Sequence, residues 1–197
     1  MKRMLCVVAL LVAILGCKDS SSDETATVPI PIEGIEKTPE LVEKLRAQPT
    51  IDDQFGVLYD QFESMLDRSD SLTGPDTNND GIRDDIEFFI NALEVTEPVR
   101  NALKQNARYS QENLYHDFTE KTPENRRKAQ SIGHKHQKVL ACQRFVGISL
   151  DDIKSTGKTI RALTYNTKAR TLAYIAYNHL QDGRVSTLLK VGAQYCE

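Results

Sequence analysis

Thr96-Glu97-Pro98-Val99-Arg100-Asn101-Ala102-Leu103-Lys104-Gln105-Asn106-Ala107-Arg108-Tyr109-Ser110-Gln111-Glu112-Asn113-Leu114 is the stretch from which the fold is most directly read. Thr96 can cap a helix, and Pro98 suits a first turn whose amide needs no partner. Val99, Leu103, Ala107, Ser110, Leu114 and Phe118 then recur at steps of four or three. That spacing keeps them on one face of a helix with 3.6 residues per turn. The residues between them are mostly polar. The spacing therefore predicts an amphipathic helix.

The same signals recur on both sides. Thr38-Pro39 opens a short helix through about Ala47. Thr50 with Asp53 opens a second, with Ile51, Phe55, Leu58, Tyr59, Phe62, Met65 and Leu66 at helical spacing. A third is expected from Asp84 to about Leu93. Thr122-Pro123 opens a fifth that reaches about Val146, with Ala129, Ile132, His136, Val139 and Val146 in register. Ser149 with Asp152 caps a sixth, less regular piece that Gly157 is expected to interrupt. Thr167 starts a seventh with Ala169, Leu172, Ala173, Ala176 and Leu180 inward and Gly183 as its stop. Arg184–Glu197 is compatible with a short helix or an extended tail. No stretch alternates at the period of two that a half-buried strand requires. The expected fold is all-α, a compact bundle of about six to seven helices.

The N-terminus reads differently. Met1-Lys2-Arg3 is basic, Leu5–Leu15 carries no charge, and Ile14-Leu15-Gly16-Cys17 ends the run. The apolar stretch is shorter than the roughly twenty residues a membrane span needs. Such an arrangement is a targeting segment, and Ile14–Cys17 resembles the bacterial lipobox. That resemblance implies cleavage before Cys17, lipid on its sulfur and anchorage to a membrane. Lys18, where aspartate would favour inner-membrane retention, implies the outer membrane of a Gram-negative envelope. Residues 1–16 are then the signal peptide, 17–37 the lipidated cysteine and a disordered tether rich in Ser, Thr and Pro, and 38–197 the helical domain. Losing Lys2 and Arg3 with the signal takes the net charge from −3 to −5. With Cys6 removed and Cys17 lipidated, Cys142 and Cys196 remain as an even pair in a compartment that permits disulfides, and they are expected to join.

Between the second and third helices lies Asp76-Thr77-Asn78-Asn79-Asp80-Gly81-Ile82-Arg83-Asp84-Asp85-Ile86-Glu87. Oxygen donors occupy the first, third, fifth, ninth and twelfth places, and glycine the sixth. A hard cation with six to eight oxygen ligands is wrapped by a chain that turns sharply, so a glycine is needed in the middle. The spacing resembles the calcium loop of the EF-hand family and the aspartate-rich loops of dockerins and thrombospondin type 3 repeats. It implies calcium held by the side chains of Asp76, Asn78, Asp80, Asp84 and Glu87 and the carbonyl of Ile82, with Arg83 pointing outward. Gly74-Pro75 separates the loop from the incoming helix, Arg83 stands where EF-hands place an apolar bridging residue, and no second loop is available to pair. A lone structural site is therefore expected, with a dissociation constant of roughly 10⁻⁵–10⁻³ M.

Other patterns are read as structural. Ser155-Thr156-Gly157-Lys158-Thr159 suggests a phosphate loop, but Asp152 stands where that motif needs glycine, so no nucleotide is expected. His134 and His136 diverge by about 200° on a helix and cannot share one ion. His136 is expected to be a core histidine, and Tyr165, Tyr174 and Tyr177 core aromatics. With a net charge of −3 and no basic stripe, nucleic-acid binding is not expected. No nucleophile elbow or cysteine–histidine arrangement is present, so the chain is not read as an enzyme. The sequence implies a membrane-tethered, calcium-binding envelope module with an unidentified protein partner. The alternatives are an envelope hydrolase whose calcium is only structural, and a calcium-responsive regulator.

Overall fold

The structure is a computed structural model, and it describes residues 34–197. The signal peptide, Cys17 and most of the tether lie outside the described residues. Seven helices follow: α1 (Pro39–Arg46), α2 (Ile51–Phe62), α3 (Asp84–Ala92), α4 (Glu97–Glu112), α5 (Pro123–Phe145), α6 (Leu150–Thr164) and α7 (Lys168–His179). There is no strand among the described residues. The molecule is the all-α bundle that the periodicity predicts, and none of the described helices is long and apolar enough to cross a membrane.

Most starts are written locally. Thr38, Thr50, Thr122, Ser149 and Thr167 each accept a hydrogen bond from the backbone N–H three residues on. Each satisfies an amide that the helix itself cannot. α4 is the central helix and packs against α3, α5 and α6. Its stripe buries Leu103, Ala107 and Ser110, and Leu114 and Phe118 continue it beyond the last regular turn. Two clusters result. The larger joins Leu45, Phe55, Leu58, Ile82, Ile86, Phe89, Ile90, Leu103 and Ile160. The smaller joins Phe118, Ala129, Ile132, Tyr177 and Leu180. Ahead of α1, Ile35 packs against the larger cluster and Lys37 pairs with Glu94, so the folded body includes residues that the sequence reading gave to the tether.

Four expectations are corrected. α6 is continuous through Gly157, which is buried within it; a Cβ there would make only ordinary contacts, 3.7 Å from Arg161 Nη1 and 3.9 Å from Asn106 Nδ2. α7 ends at His179, short of Gly183; Leu180 is buried as expected, but the inward face is rotated away from Ala169 and Leu172. Arg170, Tyr177 and Leu180 are buried, whereas Leu172 is 55% exposed and Ala169 is exposed. The reason is polar. Arg170 donates to the carbonyls of Asp67, Ser71 and Leu72 and to the Asp67 carboxylate, which fixes the rotation of the helix. α4 gives way at Asn113 to a 3-10 turn, where the stripe through Phe118 predicts a continuing helix; the tail, compatible in sequence with a short helix or an extended run, continues without helix up to a short 3-10 turn, Ala193–Tyr195. Finally, Arg83 does not point outward; it has no exposed surface.

Candidate metal centre

The acidic loop is wound by its own side chains. Asp76 Oδ1 accepts from the amide of Asp80 at 3.1 Å, and its Oδ2 from Gly81 at 2.9 Å. Asn78 Oδ1 accepts from Asp80 at 3.1 Å, and Asp80 Oδ1 from Ile82 at 2.9 Å. Three successive donors thus curl the chain around the same centre. Asn79 (φ 56°) and Gly81 (φ 83°) take the left-handed shape that the curl requires. Ile82, at the seventh place, buries its side chain completely in the core. The loop therefore sits on the body and does not project from it.

The remaining two acids are engaged elsewhere. Asp84 Oδ1 accepts from the Thr77 amide at 2.9 Å, and Oδ2 from its hydroxyl at 2.6 Å. Glu87 Oε2 accepts from Asn78 Nδ2 at 3.0 Å, and Oε1 from Lys104 Nζ at 2.7 Å. Arg108 donates from Nε to the Asp80 carbonyl at 2.7 Å, with its Nη2 3.7 Å from the Asp80 carboxylate. Burial raises the Asp80 carboxyl above the usual carboxylate range, and the neighbouring charges of Glu87 and Asp76 add to the rise. Among the described residues, no three His, Cys, Asp or Glu side chains are gathered closely enough to hold one ion. The donor set is all oxygen and the turn is formed, so the chemistry fits a hard cation. Asp84 and Glu87 close across the loop onto Thr77 and Asn78, not onto a common centre.

Sequence spacing missed Lys104 and Arg108, which come from α4, 17 and 28 residues beyond their partners. It also missed what holds the loop in place. Arg83 joins Asp85 through Nε to Oδ1 at 2.5 Å and Nη2 to Oδ2 at 2.9 Å. The same guanidinium donates to the carbonyls of Leu163 and Thr164, at the end of α6. Gly74 (φ 67°) lets Arg83 pass, because a Cβ there would stand 2.3 Å from Arg83 Cδ. A glycine and a buried ion pair thus flank the loop on either side of its curl.

Cys142 of α5 and Cys196 of the tail are joined, with Cα atoms 5.0 Å apart. The bond fastens the tail, where Gln105 Nε2 donates to the Tyr195 carbonyl at 2.7 Å and Arg108 meets Glu197 at 2.5 Å. Arg108 is therefore shared between the acidic loop and the C-terminus. No protein-family model, curated protein or solved structure matches the chain.

Proposed function

We propose that the chain is a lipid-anchored module of a bacterial envelope that binds one calcium ion at Asp76–Glu87, with a structural or binding role and no chemistry of its own. What carries the reading is the inward turn of Asp76, Asn78 and Asp80, each tied to the amides of the curl, on a loop whose next side chain is a core residue. A cation would take oxygens from Asp76, Asn78 and Asp80 and the carbonyl of Ile82. Asp84 would trade Thr77, and Glu87 would trade Lys104 and Asn78, for the ion. Anchorage rests on the resemblance of Ile14–Cys17 to the lipobox, and the outer-membrane placement on Lys18. A disulfide between Cys142 and Cys196 accords with an oxidising compartment.

Thermal unfolding of the full chain with excess calcium and with chelator tests the ion. Calcium at a hundred times its dissociation constant stabilises by about 2.7 kcal/mol. A rise in midpoint that is lost in Asp80→Ala is expected. No rise in the unsubstituted protein would remove the calcium reading.

A further inference from the structure

A second site stands apart from the acidic loop, where α4, α5, α6 and α7 meet. Tyr109 of α4 stacks on His136 of α5, with centroids 4.9 Å apart and planes 16° from parallel. Tyr165 stacks on Tyr174 of α7 at 4.5 Å and 22°. The two stacked pairs wall a cleft of about 330 Å³, into which Arg161 of α6 also projects. That volume is within the range of small-molecule sites.

The charge of the cleft is one-sided. Its lining includes Arg161 and Arg184 and no carboxylate, on a chain whose net charge is −3. Arg184 Nη1 donates to the side-chain oxygen of Gln181 and, at 3.5 Å, to the carbonyl of Gln130, so this arginine is already engaged. Arg161 is half-buried, and among the described residues its guanidinium has neither a hydrogen bond nor a carboxylate within 4.0 Å. This contrasts with Arg83, Arg100 and Arg170, whose guanidinium groups are each filled with carbonyl or carboxylate oxygens. Burial raises Tyr109, Tyr165 and Tyr177 above the usual tyrosine range, so their hydroxyls stay neutral. Burial, with Arg161 beside it, lowers His136. The positive charge facing the cleft is therefore that of the two arginines.

An independent observation lies on the other side of Arg161 and His136. Both also wall an adjoining cleft of about 270 Å³, together with Lys154, Lys158 and Gln143, again with no carboxylate. Gln143 is 1% exposed, and neither its amide nitrogen nor its amide oxygen has a hydrogen-bond partner. A buried amide without partners costs stability that an apolar residue of the same size would not. An amide in a basic, carboxylate-free wall is a spare donor for an anion.

We propose that these clefts form a binding site for a small planar organic anion, with its carboxylate on Arg161 and its ring between the two stacked pairs, and with Gln143 as an additional donor. A guanidinium pairs with carboxylate through two parallel hydrogen bonds, and flat rings prefer offset stacking on aromatic walls. The site does not depend on the calcium reading, and it turns an envelope module into a receptor for a soluble aromatic or similarly flat acid.

Calorimetric titration of the full chain with benzoate, benzyl alcohol and inorganic phosphate tests it, with tyrosine side-chain NMR shifts locating the ligand. Benzoate is expected to bind roughly tenfold or more tighter than either of the others. It is also expected to move Tyr109, Tyr165, Tyr174 and Tyr177. Arg161→Gln should lose roughly tenfold or more in benzoate affinity, with an unchanged unfolding midpoint because no partner is lost. Gln143→Leu should weaken benzoate binding while raising the midpoint, which a merely structural glutamine would not do. Equal binding of benzoate and benzyl alcohol, equal binding of phosphate, or benzoate affinity indifferent to both substitutions would overturn the site.

Discussion

Arg83 and Asp85, two residues apart, share a pair of hydrogen bonds at 2.5 and 2.9 Å at a point where Arg83 is fully buried and Asp85 is 5% exposed. Asp85 also accepts from the amides of Asp67 and Ile86, and Arg83 donates to the carbonyls of Leu163 and Thr164. One ion pair therefore joins the end of α6, the start of α3 and the chain that follows α2. It satisfies helix-end groups that have no partner within their own helices.

Removing one partner alone leaves a buried charge uncompensated. Arg83→Met is expected to destabilise the protein by about 3–5 kcal/mol, and Arg83→Met with Asp85→Leu by less than the sum of the single losses. Denaturant unfolding of the two single variants and the double variant measures the coupling. Additive losses would mean that the pair acts only through its separate backbone bonds.

Lys104 stands where calcium would need Glu87. If the loop binds the ion, the ammonium at 2.7 Å competes for the same carboxylate. Lys104→Met is then expected to lower the midpoint without calcium and to tighten calcium binding several-fold, consistent with a partly buried ion pair worth about 1 kcal/mol. Titration of the variant and the unsubstituted protein under the same salt compares the two. Weaker binding in the variant would place Lys104 among the groups that support the loop, not among its competitors.

Much of the fold was legible because it is local. Thr38, Thr50, Thr122, Ser149 and Thr167 cap helices as their side chains allow, and the stripe of α4 is set by spacing alone. What spacing could not give was the partner of a long polar side chain. A cation inside the loop would turn Arg83 outward, yet its guanidinium meets α6 some 80 residues away. Apolar periodicity likewise gives no inward vote to Arg170, which is fully buried. Its bonds to Asp67 and Leu72 rotate α7 nonetheless. The loop's curl was readable from Asp76, Asn78, Asp80 and Gly81, whereas the engagement of Asp84 and Glu87 with Thr77 and Lys104 was not. Spacing groups Tyr165, Tyr174 and Tyr177 but reads them as core, because the cleft they wall also takes Tyr109, His136 and Arg161 from three other helices.

The disulfide closes a separation of 54 residues and secures a tail with few other attachments. In the chain-entropy account a loop of that size contributes about 4 kcal/mol, and removing native disulfides costs about 2–5 kcal/mol. Replacing Cys142 and Cys196 together by alanine should lower stability within that range, measured in denaturant without reductant. Reducing the unsubstituted protein should give the same loss. A loss under about 1 kcal/mol would show that the tail is held by Gln105 and Arg108 alone.

His136 gives the bundle a defined acid sensitivity. Burial between Tyr109 and the walls of the two clefts lowers its proton affinity, and the Arg161 guanidinium adds to the effect. The unfolded chain has an ordinary histidine, which takes up its proton near pH 6.5. Because the folded value lies lower, the unfolded state binds more protons as the pH falls through that point. The stability that comes from keeping the ring neutral is complete above about pH 6.5 and declines as the pH drops toward the folded value. His136→Phe keeps a flat ring against Tyr109 and removes the titration. The stability difference between the unsubstituted protein and this variant should therefore shift in favour of the variant between about pH 6.5 and 5, before ordinary carboxylates begin to protonate. Denaturant unfolding at half-unit intervals reads that difference directly. Parallel curves across the window would mean that the folded protein accommodates a charged His136, and with it that the cleft beside Arg161 is more polar than its tyrosine walls imply.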